Sequence, residues 1–200
     1  MDKISSLNLD IDRVLLQLII PGLTASFPWL IIFTNHHQKD LKLILENSSL
    51  LVTIVVIVSL VAGIILENIG SQIEVNYYDK KNIKKDIEYI KIWEEYLKLN
   101  YDGKEPIGHR YIRNILLRMK FELSFGIALI PMAIGLSILD YQSEIFKSCI
   151  YKCIFFLIIP AATFIYLIFY EGYKSSKVLA ETRKLLVTKY AEPIKPTAHE

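Results

Sequence analysis

The chain is 200 residues long and 52% hydrophobic, with a mean hydropathy of +0.34 and a net charge of only +2. So small a charge argues against nucleic acid as a direct ligand, and two cysteines are too few for a disulfide framework. The apolar residues gather in four uncharged blocks between segments dense in Lys and Glu, a layout that excludes an ordinary soluble core and points to a membrane protein.

Residues 1–13 form a short polar N-terminus, and the first apolar block follows at residues 14–34. Its 21 residues reach the length of about 20 that a helix rising 1.5 Å per residue needs to cross the hydrocarbon. Pro21, Gly22 and Pro28 interrupt it, so a kinked span is expected. A cleaved signal peptide is the rival reading. Three Asp against one Lys and one Arg before the block, and apolar residues well beyond Pro21, favour a retained span. The second span is expected at residues 50–66, apolar on every side as a lipid-facing helix should be.

Residues 71–120 are highly charged. Asp79 or Asn82 is expected to cap a helix there, with Ile83, Ile87, Ile90, Trp93 and Leu97 forming one apolar stripe. Gly103 suits its end and Pro106 the first turn of a second amphipathic helix carrying Ile112, Ile115, Leu116 and Met119. Together they predict a helical hairpin. The third span, residues 123–139, is short and contains Pro131, and the fourth, residues 153–170, contains Pro160. The tail, residues 171–200, reads as a helical continuation to position 190 followed by a frayed end.

The fold class is therefore all-α: a polytopic membrane protein with four transmembrane helices and an amphipathic helical hairpin. Lys and Arg orient it. Residues 1–13, 71–120 and 171–200 hold 19 of the 23 basic residues, and the two connecting loops on the opposite side hold four. That asymmetry assigns both termini and the hairpin to the cytoplasm at the inner membrane.

No catalytic signature is present: there is no Gly-rich phosphate loop, HExxH, paired CxxC or GxSxG, and no cofactor or enzymatic activity is expected. Cys149 and Cys153, and the adjacent His36 and His37, lack the further ligands a metal needs. The stretch before span three carries His109, Arg110, Arg113 and Arg118. It reads either as a site for an anionic ligand or partner, or as a juxtamembrane cluster that holds orientation, and the second is preferred. Glu67 and Glu122 mark the membrane boundary, and acids so placed are expected to pair with Arg113 or Arg118. Ser124, Ala128, Pro131 and Gly135 recur at helical spacing and predict a close packing face, within the chain or between subunits of a homo-oligomer. Gln17 is the one strongly polar side chain within the spans apart from hydroxyls, which counts against coupled transport.

In layout and size, the four blocks and the amphipathic segment resemble the small multi-span membrane accessory and effector proteins of bacterial antiphage defence. These include four-span proteins found beside type VI CRISPR nucleases and the membrane effectors of cyclic-nucleotide defence. The resemblance spans the whole chain and carries no functional residue across. It implies an oligomeric membrane effector or regulator that answers a cytoplasmic partner or ligand. A channel or transporter subunit and a non-conducting scaffold for a cytoplasmic protein are the alternatives. The RNA-cleaving R-x(4–6)-H spacing of some such accessories is missing, which argues against nuclease activity.

Overall fold

In the computed structural model residues 2–39, 41–86, 88–98, 108–142 and 150–190 are described, and among them there is no strand. Helix α1 spans Asp2–His36 and takes both Pro21 and Pro28 into its interior without ending. It starts well before the expected residue 14. A backbone in hydrocarbon has no water to bond to, so the helix persists where a proline removes one N–H. A short turn, α2 (Lys42–Glu46), leads to α3 (Ser48–Ile73), whose first turn is capped by the Asn47 side chain accepting from the Leu50 N–H at 3.3 Å.

Helix α3 widens into a π-helical segment, Glu74–Asp79, before α4 (Lys80–Lys85). The backbone becomes extended at Asp86 and restarts as α5 (Tyr89–Lys98). Asp79 and Asn82 therefore lie inside a continuous helical path and cap nothing; Asp86 does so instead, its carboxylate accepting from the Glu88 N–H at 3.0 Å. Gly103 and Pro106, expected to shape the hairpin turn, lie outside the described residues. Helix α6 (His109–Gln142) is a single rod that absorbs Pro131. Helix α7 (Ile150–Ile165) passes through a second π-helical segment, Tyr166–Gly172, into α8 (Tyr173–Tyr190). Cys149 and the end of the tail, residues 191–200, also fall outside the described residues.

Among the described residues three helical stretches are long and apolar enough to cross a membrane: Gln17–His36, Ser48–Lys85 and His109–Leu139. The fourth apolar block falls on α7, which has only 16 residues before the π segment begins. Val52, Ile57, Val61, Ile64 and Ile65 turn outward from α3, an apolar face that lipid would solvate. The hydroxyls of Thr24, Ser26, Thr53, Ser59, Ser137 and Thr163 each donate to the carbonyl four residues earlier, so none is left seeking a partner at depth.

Helix α1 packs against α3 and α6, and α6 against α3, α7 and α8. The α1–α3 contact is backbone to backbone: Gly22 lies over the Ser59 carbonyl and Gly63 over that of Leu18, closer than any side chain permits. The small stripe of α6 faces the same two helices of its own chain. Ser124 lies by Gly70 of α3, Ala128 is fully buried, Gly135 abuts Pro28 and Trp29, and the Trp29 indole N–H donates to the Pro131 carbonyl at 2.9 Å.

Two apolar clusters result. One joins Ala25, Leu66, Tyr78, Met119, Leu123, Ile127, Ala128 and Ile168. The other lies among charged segments and joins Tyr96 of α5, Ile112 of α6, and Leu179 and Val187 of α8. The arms expected to form a hairpin thus both bury their apolar faces against the tail helix. The break at Asp86 resets the phase of α5, so Ile92 and Tyr96 turn inward while Ile90 and Leu97 are at least half exposed.

Candidate functional site at the membrane boundary

Where the apolar run of α6 begins, Glu122 is buried, 8% exposed, yet fully partnered. One turn earlier Arg118 donates from Nε to Glu122 Oε1 at 2.7 Å, and Ser175 of α8 donates its hydroxyl to Oε2 at 3.0 Å. The same guanidinium reaches Glu171 at 3.4 Å, which also accepts from the Tyr166 hydroxyl at 2.8 Å and lies 3.8 Å from the Lys174 ammonium. Across the helix, Lys120 pairs with Glu67 of α3 at 2.9 Å. Sequence spacing finds the Arg118–Glu122 pair, because four residues place both on one helix face. It misses Ser175 and Tyr78, which only the tertiary path brings near, and Glu67, expected to pair with Arg113 or Arg118, is held by Lys120 instead.

Beside this layer Tyr78 is wholly buried, and its hydroxyl donates to the Ile168 carbonyl. Both residues belong to π-helical segments. An α-helix would pair that carbonyl with the N–H of Gly172; a π-turn moves the pairing on by one residue, and the Tyr78 hydroxyl adds a donor from another helix. Gly172 leaves the space the phenol occupies: a Cβ there would stand 2.7 Å from the Tyr78 oxygen. Four polar ties, Ser175–Glu122, Arg118–Glu171, Lys120–Glu67 and Tyr78–Ile168, thus fasten α3, α6 and the α7–α8 junction at one level.

The four basic candidates do not converge. His109 and Arg118 are nine positions apart, about 14 Å along the axis at 1.5 Å per residue. His109 Nδ1 lies 3.5 Å from the Tyr96 hydroxyl, Arg110 is exposed and Arg113 half-buried on the first turns of α6, and Arg118 is committed to two acids. Chemically this layer is a set of ion pairs and hydrogen bonds that fixes helices. His36 and His37 stack edge to face, 5.1 Å between centroids, and among the described residues no group of three or more His, Cys, Asp or Glu is placed to hold a metal.

Glu122→Ala is expected to cost about 1–3 kcal/mol, because it strands the buried Ser175 hydroxyl as well as one face of Arg118. Glu67→Ala, removing a half-exposed partner, should cost less than about 1 kcal/mol. Thermal unfolding of the two variants in detergent separates these values; equal shifts would contradict the burial of Glu122. No family model, curated protein or solved structure matches this chain.

Proposed function

We propose that the protein is a four-span inner-membrane effector or regulator, with both termini in the cytoplasm, whose cytoplasmic helices receive a ligand or protein and alter the state of the membrane. In this reading α7 with its π segment makes the fourth span, α5 and the start of α6 are the arms of the hairpin, and several copies assemble around an axis. Antiphage defence is the setting that the layout suggests.

The observation that carries the reading is Leu116. It packs against both apolar clusters, so the unit formed by α5, α6 and α8 shares a side chain with the membrane core. A displacement of α8 relative to α6 therefore bears directly on the Glu122–Ser175 tie. Ser26, Ser59 and Ser137 donate their hydroxyls to carbonyls of their own helices, which supports a switched effector over a carrier with a polar path through one subunit.

A membrane-potential dye tests this in cells. Expression with the cognate trigger should depolarise, expression alone should not, and Arg110→Ala with Arg113→Ala should uncouple the two. Unchanged potential under every condition, with a cytoplasmic protein still captured by the hairpin, would favour the scaffold. Conduction by the purified protein without any partner would favour the channel. A reporter fused after Glu200 should be active only in the cytoplasm; activity outside would remove the four-span topology.

A further inference from the structure

Between α4–α5 and α8 lies a cavity of about 160 Å³, outside the boundary layer described above. Its wall includes Arg183, Lys85, Lys177 and Lys184 against two acids, Asp86 and Glu181, an excess of two positive charges. Arg183 is the unusual member. It is 7% exposed, its guanidinium lies over the Trp93 ring at 3.6 Å from the centroid, and its Nε has no hydrogen-bond partner. Burial pushes this guanidinium below its usual pKa, with Tyr89, Asp79 and Glu74 the main opposing influences. Neither acid forms an ion pair with it, and the Asp79 carboxylate accepts from the Tyr89 hydroxyl at 3.0 Å.

The other cations are held at the rim. Lys85 donates to the Tyr173 hydroxyl at 2.9 Å, Lys184 pairs with Asp86 at 3.2 Å and Lys177 with Glu181 at 3.5 Å. A buried arginine whose Nε has no acceptor carries a desolvation cost, and the group that relieves it best is an oxyanion. A phosphomonoester carries roughly −1.5 to −2 charge at neutral pH, matching the excess on the wall. The volume is close to that of cavities which admit a benzene-sized guest, enough for a phosphate and a small attached group.

We infer that this cavity binds a soluble phosphomonoester, with the phosphate on Arg183 and the rim lysines closing around it. The ligand is soluble rather than a lipid because Arg183 lies twelve residues beyond Glu171, where the apolar run ends. At 1.5 Å per residue that is about 18 Å, past a headgroup layer of roughly 5–7 Å on each face. The site supplies an input for the effector reading and rests on that reading only for what binding then causes.

The chain has two tryptophans, so full-length protein carrying Trp29→Phe, in neutral detergent, reports on Trp93 alone. Titration with inorganic phosphate should change its emission saturably, where chloride at matched ionic strength does not. Arg183→Met, which keeps an apolar stem over Trp93, should weaken the response at least tenfold. If that variant fails to fold by circular dichroism, Lys177→Met with Lys184→Met decides, again with a tenfold loss. No saturable response, an undiminished response in the folded variants, or a response to phosphatidylglycerol vesicles alone would overturn the site. Phosphate binding without depolarisation in cells would leave the site standing and remove the effector reading.

Discussion

Gly63→Ala should be among the most damaging single-methyl changes available to this chain. A Cβ at position 63 would stand 2.1 Å from the Leu18 carbonyl oxygen, and one at Gly22 would stand 1.7 Å from that of Ser59. Both obstacles are backbone, so no rotamer change relieves them, and α1 and α3 must separate along their whole contact. Overpacking of this kind costs about 3 kcal/mol or more. Gly126→Ala is the matched control, since its Cβ would meet the Ile168 side chain at 3.2 Å and that chain can give way. Unfolding in a denaturing-detergent titration should show a large loss for Gly63→Ala and less than about 1 kcal/mol for Gly126→Ala. Comparable losses would mean that the two backbones do not meet as described.

Tyr78→Ala should be similarly severe. The residue is wholly enclosed, touches Tyr77 and Tyr173 through its ring, and fills the space above Gly172. Removing a buried aromatic side chain costs about 3–5 kcal/mol. Tyr78→Phe isolates the hydroxyl: it keeps the ring and strands the Ile168 carbonyl, at about 1–3 kcal/mol. The same thermal or detergent titration reads both, and a neutral Tyr78→Phe would show that the carbonyl has another donor. Under the effector reading, Tyr78→Phe should also blunt trigger-dependent depolarisation while leaving phosphate binding at Arg183 intact.

The apolar blocks were legible because lipid imposes a length and a composition that local chemistry cannot disguise, and among the described residues α1, α3 and α6 each contain an apolar stretch long enough to cross a membrane. Helix ends were less so. Charged residues continue the helices past the hydrocarbon because they pack there, as Ile112 does on Leu179, and no hydropathy signal records it. The α5 stripe was misphased because its period was carried through Asp86, where the backbone turns extended. The small stripe of α6 was readable from spacing alone, but its partners on α1 and α3 were not. The Arg183–Trp93 contact is not read from the stripe that includes Trp93, although a weak signal exists: each is the single residue of its type in its charged segment, 171–200 and 71–120, and Arg over Trp is a favoured pairing.

The two π-helical segments set how the rods on either side of them are clocked. Each wide turn accommodates about one residue more than an α-turn, and one residue is worth about 100° of rotation. Deleting a single position within residues 166–172 would close this wide turn to an ordinary α-turn and leave α8 facing α6 as before, whereas deleting one between Ser175 and Arg183, where the helix holds no extra residue, would keep Ser175 on Glu122 and turn Arg183 from Trp93. Chimaeras that exchange the tail or the spans are therefore best joined at these turns, since a join one residue short within a plain α-helical rod produces a well-formed helix aimed in the wrong direction.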